Sequence, residues 1–101
     1  MSNYVTIQKA IQNKQQIFAI HNGYRRKMCP HLLGTINGVA HAFFYQFDGE
    51  SSSGVSKETA LNWRCFQVDE LREVHYIEGP FLPKGKFVMP DSGIDKIEVK
   101  A

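Results

Sequence analysis

The chain has 101 residues, of which 43% are hydrophobic and 22% charged, with a formal net charge of +2. That length predicts one domain, residues 1–101, with room for a single core that needs no disulfide staples. The small charge excess excludes a wholesale polycation, so any nucleic-acid contact must come from where the cations sit. No window approaches the roughly 18 apolar residues of a membrane span.

The N-terminal "MSNYVTIQKAIQNKQQ" lacks the basic stretch and apolar run of a signal peptide. With only Cys29 and Cys65 in the chain, the expectation is a soluble cytoplasmic protein with two reduced thiols. Within residues 4–14, Ile7, Ala10 and Ile11 have the i, i+3, i+4 spacing of a helix with one buried stripe, and Asn3 is the expected N-cap. About three turns do not hold alone, so this helix must pack on the sheet.

Strand signals then take over. "QQIFAIHN" closes at Asn22-Gly23, a type I′ hairpin signal, and "YRRKMCPHLLGTI" returns, with Pro30 predicting an edge or a bulge. After Asn37-Gly38 comes "VAHAFFYQF". It alternates Val39, His41, Phe43, Tyr45 and Phe47 with Ala40, Ala42, Phe44 and Gln46. The large row predicts the core side, with Phe43 and Phe47 buried. Residues 48–62, rich in Ser and Gly, predict a long mobile loop.

Strand character resumes over Trp63–Val68, breaks at Asp69–Leu71, and returns in "REVHYI". Residues 78–90 hold three prolines and two glycines and predict an irregular crossing. "KIEVKA" reads as a charged edge strand. The fold class is therefore mainly β, with one short N-terminal helix. A small Sm- or SH3-like antiparallel β-barrel or half-barrel of five or six strands is expected.

The segment "WRCFQVDEL" resembles the "WRTFRLDRI" type of stretch found in WYL domains, which are bacterial domains with a small Sm- or SH3-like barrel. The order of features is similar over residues 16–77. "IFAIHNGYRRKMCPHLLG" supplies the strand, turn and Pro-containing step through Pro30, Leu32 and Leu33. "GVAHAFFYQFD" stands where the family tripeptide lies, with Ala42, Phe43 and Phe44 at its three positions. Arg64 keeps the first arginine of the segment; Gln67 and Glu70 replace two further basic residues. The resemblance implies a regulatory module whose basic and aromatic surface meets a nucleotide or nucleic acid. The fifteen or so residues before the first strand leave no room for a helix-turn-helix.

Arg25, Arg26 and Lys27 are the one dense run of cations. On a strand Arg25 and Lys27 share a face while Arg26 points the other way. With Arg64, Gln67 and the rings of Tyr45 and Trp63, Arg25 and Lys27 make a candidate ligand surface of the kind that holds single strands by phosphate contacts and stacking. The competing account is a solvated strand whose long side chains cover apolar surface. In the stretch Trp63–Val68, Phe66 and Val68 are expected inward, which puts Arg64 at the rim.

Cys29 and His31, with Cys65 and one of His21, His41 or His75, contain the residue types of a zinc site, but the spacing matches no finger pattern and buried inert thiols are expected instead. No phosphate loop, catalytic triad or cofactor fingerprint is present, so no enzyme, metal or cofactor is expected. The leading expectation is a non-catalytic binding module for a nucleotide or single-stranded nucleic acid. The alternative is a structural or protein-interaction module acting through self-association, an edge strand or a regulatory partner.

Overall fold

The computed structural model describes residues 2–51 and 62–101. Its one helix, α1, spans Asn3–Gln12 and buries Thr6, Ile7, Ala10 and Ile11, the expected stripe. Ser2 caps it: the hydroxyl accepts from the Val5 N–H at 3.2 Å. Asn3, the expected cap, instead donates to the carbonyls of Val68 and Leu71, tying the helix start to the far end of the chain. The helix ends two residues short of 14 because Asn13 leaves helical geometry and Lys14 takes φ 49°.

Six strands come next among the described residues: β1 (Gln16–His21), β2 (Tyr24–Ile36), β3 (Val39–Gly49), β4 (Trp63–Gln67), β5 (Arg72–Ile77) and β6 (Lys96–Lys100). A 3-10 turn, Val68–Glu70, separates β4 from β5. Both Asn-Gly turns have two positive φ values, 54° and 80° at Asn22-Gly23, 50° and 80° at Asn37-Gly38. Those are the backbone angles of the expected type I′ hairpins. The expected loop 48–62 begins as strand, since β3 runs to Gly49. Its part from 52 to 61 lies outside the described residues.

All pairings are antiparallel, in the order β4-β3-β2-β1-β5, with β6 on β2. β2 is long enough for two partners on one side: β1 pairs with Tyr24–Met28 and β6 with Leu32–Thr35. Pro30, which has no N–H, falls in the gap between them. The register with β3 slips there, Pro30 facing Phe44 and Leu32 facing Phe43, so His31 is the extra residue of a bulge. No pairing among the described residues joins β4 to β5. The sheet is not closed into a barrel.

Two hydrophobic clusters lie on opposite faces of β3. On the helix side, Ala42 and Phe44 join Ile7, Ile11, Ile17, Met28, Leu33, Val68 and Leu71. On the other, Phe43 packs with Leu32, Trp63 and Ile94. The face expected to carry the core, with its larger residues, therefore holds only the smaller cluster. Phe47, expected buried, is partly exposed. The small-residue row is the one that faces the helix, because α1 needs close approach; the large row is covered instead by residues 78–95, which have no regular structure.

That covering segment is held by three buried side chains, Gln16 at the start of β1 and Cys29 and His31 on either side of Pro30 in β2. Gln16 donates to the Pro80 carbonyl at 2.6 Å. The Leu82 N–H donates to the Cys29 sulfur at 3.2 Å. His31 Nε2 lies 2.8 Å from the Leu82 carbonyl. Edge-strand character in "KIEVKA" is as expected, with a bulge at Glu98 that leaves Ile97 exposed and turns Val99 to the core.

Candidate binding site

Residues directly opposite across an antiparallel pair point to the same face. Arg64 is opposite Phe44, Phe66 opposite Ala42, and Trp63 opposite Tyr45. Arg64 therefore stands on the helix-side face with Phe66, half-buried, its Nη1 donating to the Trp63 carbonyl at 3.3 Å. Trp63 and Tyr45 stand on the other face. Their rings meet edge to face at 5.3 Å, and Trp63, 8% exposed, also stacks on Phe43. The covering segment closes over this cluster through Phe87.

The remaining candidates, Arg25, Lys27 and Gln67, share the face of Tyr45 and Trp63 by register. Arg25 and Lys27 are exposed, and Lys27 Nζ lies 4.0 Å from an Asp48 carboxylate oxygen. Gln67 donates to Asp69 Oδ1 at 2.7 Å. The six candidates thus divide between two faces: Tyr45, Trp63, Arg25, Lys27 and Gln67 on one, Arg64 on the other.

What stands near Arg64 is Arg26. It alternates inward between Tyr24 and Met28 and is only 5% exposed. Its Nη1 donates to Gln46 Oε1 at 3.1 Å and its Nη2 to the His21 carbonyl at 3.4 Å. The guanidinium lies over two rings, 4.8 Å from the centre of Phe66 and 5.4 Å from that of Tyr24. Gln46 is itself fully buried, and its amide donates to the carbonyls of Asp48 and Glu50, which fixes its oxygen toward Arg26. Gly49 lets the chain pass here at φ 97°; a Cβ on it would sit 2.4 Å from the Arg25 carbonyl oxygen.

No carboxylate among the described residues pairs with Arg26. The ion pairs among those residues are Lys27–Asp48 and the His21–Glu70 contact at 3.7 Å. The Arg26 Nε is buried, with no acceptor among the described residues. Burial, then the charge of Arg64, pushes the Arg26 guanidinium below its ordinary value, and Tyr24 opposes this. Burial does the same to Arg64. Neither loses its proton at neutral pH, so this end of the sheet holds two cations that bear on one another.

No family model, no curated protein and no solved structure matches this chain.

His21 completes the cluster. Its ring stacks on Phe66 with centroids 4.0 Å apart, and its Nδ1 is buried without a partner among the described residues. Beyond it lies a groove of about 720 Å³ lined by His21, Asn22, Asp69, Glu70 and Arg72 among others. Asp69, Glu70 and Arg72 give that groove mixed charge.

Cys29 and His31 are engaged by the backbone of residues 80–82. Burial pushes the Cys29 thiol up to about 11, against a smaller opposing effect of the Leu82 N–H. Among the described residues no group of three His, Cys, Asp or Glu is placed to hold a metal ion, and no helix is long and apolar enough to cross a membrane.

The sequence places Arg26 in the cation run and His21 among the zinc-type residues, but does not bring either together with Gln46. The signal for Arg26 was its inward alternation beside Tyr24 and Met28; Gln46 was the lone polar residue on the small face of β3. Their meeting is a tertiary event across twenty residues.

Proposed function

We propose that this chain is a non-catalytic binding module of WYL type that recognises an anionic ligand, a nucleotide or single-stranded nucleic acid, at the face of Arg64. In this proposal the six-stranded sheet is an open Sm- or SH3-like half-barrel. A helix followed by six strands, a 3-10 turn before the fifth, and bulges that bend β2 against β3 support that architecture. The regulatory role, the bacterial cytoplasm and a regulatory protein partner belong to the same proposal and rest on the resemblance of residues 16–77.

The observation that carries the proposal is a buried arginine with no carboxylate among the described residues, beside a second arginine on the same face. A buried charge left unpaired is costly, and proteins keep such charges where a partner arrives from outside. The thiols point away from chemistry. Burial holds both Cys29 and Cys65 above the ordinary thiol range, the opposite of an activated nucleophile.

The test is a thermal-shift panel of nucleotides together with fluorescence anisotropy on labelled oligonucleotides, at low and high salt. A ligand should raise the melting temperature, and Arg64→Ala should weaken its binding by about tenfold, the loss of one charge-assisted contact. Oligonucleotide affinity, where present, should fall steeply with salt. No shift and no anisotropy change across the panel overturns the proposal.

One observation favours the alternative of self-association. β4 and β5 end the sheet, each paired on one side only among the described residues. A dimer or ring by light scattering, with no ligand-induced melting shift, selects that alternative.

A further inference from the structure

We propose that the face of the sheet under residues 80–89 is a peptide-binding site, filled here by the chain's own segment, and that it takes a partner's peptide of the same chemistry: a phenylalanine and a leucine between two prolines, with a second aromatic further along. This site goes beyond the anionic-ligand proposal and lies on the face opposite Arg64.

The sheet holds the segment by its main chain. The Gln16 amide donates to the Pro80 carbonyl at 2.6 Å, the Leu82 N–H donates to the Cys29 sulfur at 3.2 Å, and His31 Nε2 lies 2.8 Å from the Leu82 carbonyl. None of these contacts uses a side chain of the segment. Selection comes from rings. Phe81 lies on His31 with centroids 4.6 Å apart, and Lys14 Nζ stands 5.8 Å from the Phe81 ring centre. Phe87 meets Trp63 at 5.8 Å and His31 at 5.7 Å. Main-chain bonds for affinity and side-chain contacts for selectivity are how folded domains read peptides.

The present occupant identifies what the site accepts. The sheet bonds carbonyl, amide and carbonyl in turn, the groups a peptide offers and a nucleic-acid strand does not. Pro80-Phe81-Leu82-Pro83 is the stretch it holds. Lys84, Lys86 and Val88 are exposed, Val88 by 86%, and lie outside the contact. Prolines leave a peptide less entropy to lose on binding.

The closed state is an imperfect fit. Trp63 is only 8% exposed, yet its Nε1 is buried with no acceptor among the described residues. The segment sets the Phe87 ring against the indole and no carbonyl on its N–H. A buried donor left unmade weakens the closed state. Residues 80–89 belong to no helix or strand, so they open before the sheet does. Their tether keeps them at an effective concentration of order millimolar, which makes the segment an internal competitor of the partner.

The experiment titrates a fluorescein-labelled peptide of residues 78–91 into the full-length protein, read by anisotropy, with a scrambled peptide as control. Phe81→Ala weakens only the internal copy. It should tighten binding of the peptide by about tenfold or more over the wild type, and His31→Gln added to it should remove that gain. A peptide that binds folded Phe81→Ala no better than the wild type, or no better than its scrambled form, overturns the inference.

A second readout uses the wild type alone. Cys29 lies beneath Pro80 and Leu82, so its labelling by a thiol reagent reports opening of the segment. The unlabelled peptide at millimolar concentration should slow that labelling saturably, and the scrambled peptide should not. Equal rates overturn the inference even where Phe81→Ala fails to fold. A dimer of the peptide-free wild type by light scattering, dissociated by the peptide, assigns the site to the segment of a second copy and overturns the assignment to a partner. Neither readout passes through Arg64, so the anionic-ligand proposal stands or falls on its own panel.

Discussion

At the scale of single residues, the buried polar groups have assigned tasks, and these set their protonation. Burial pushes the Cys29 thiol up to about 11 from an ordinary value of 9.0. A group raised in the folded state contributes stability that is full below its unfolded value and is lost as pH rises through its folded value. Urea melts should therefore hold a constant midpoint up to about pH 9 and fall toward pH 11; a Cys29→Ala variant should show a weaker fall over that window. Thiol reagents at pH 8 should label Cys65 ahead of Cys29, which is fully buried.

His31 is the opposite case. Burial lowers it from 6.5, with Lys14 adding to the effect and the Leu82 carbonyl opposing it. Its contribution is present above pH 6.5 and lost as pH falls through the lowered value, so the urea midpoint should drop below that pH. A midpoint flat from pH 7 to 4.5 contradicts the role given to His31.

Much at this scale was legible in the sequence. The inward side of Phe66 and Val68 and the buried stripe of α1 come from period-2 and period-3.6 alternation. The Arg26–Gln46 bond was not, because alternation says which way a side chain points and not what it meets. Cys29 and His31 were legible only as residue types of a zinc site or as buried inert groups. Their partner, the backbone of Pro80 and Leu82, lies fifty residues on and has no pattern of its own.

At the scale of elements, local signals carried the hairpins. Asn-Gly needs two positive φ values and has them at both turns. The two faces of β3 show where such signals stop. A strand covered on both sides cannot announce which side is the main core, and the cover here is residues 78–95, a segment without periodicity. Its anchorage is testable. Gln16→Ala removes the 2.6 Å bond to the Pro80 carbonyl, at a cost of about 1 kcal/mol. Amide exchange over residues 81–89 should then speed up and Trp63 fluorescence should shift to the red, while exchange in β1–β3 stays slow. Unchanged exchange over 81–89 contradicts the anchor.

The junction of β2 and β6 offers a second test. A Cβ on Gly34 would sit 2.0 Å from the Lys96 carbonyl oxygen, a backbone atom that yields only if the strand moves. Gly34→Ala should cost roughly 1–3 kcal/mol, as other overpacked positions do, and should release β6 first. Thermal melts and exchange at Glu98 and Val99 check it; a neutral substitution would show that β6 contributes little to the fold.

At the scale of the whole molecule, the sheet is a mainly β framework with one face under α1 and the other under residues 78–95. The mainly β class and the antiparallel hairpins were legible because tight turns leave few topologies; the pairing of β5 with β1 and of β6 with β2 was not. Closure was not, because nothing in a sequence without β4–β5 pairing signals distinguishes a barrel from an open sheet. The consequence for function is a small protein with most of its aromatic surface already used. Phe43 and His31 both pack on Trp63, while the Arg26 Nε is buried with no acceptor among the described residues.

The most direct measurement is isothermal titration calorimetry of a nucleoside monophosphate into the wild-type protein and into Arg64→Ala. The account predicts saturable binding to the wild type and about tenfold weaker binding to the variant, with an unchanged fold by circular dichroism. No heat of binding to the wild type, or equal affinity for both proteins, would contradict it.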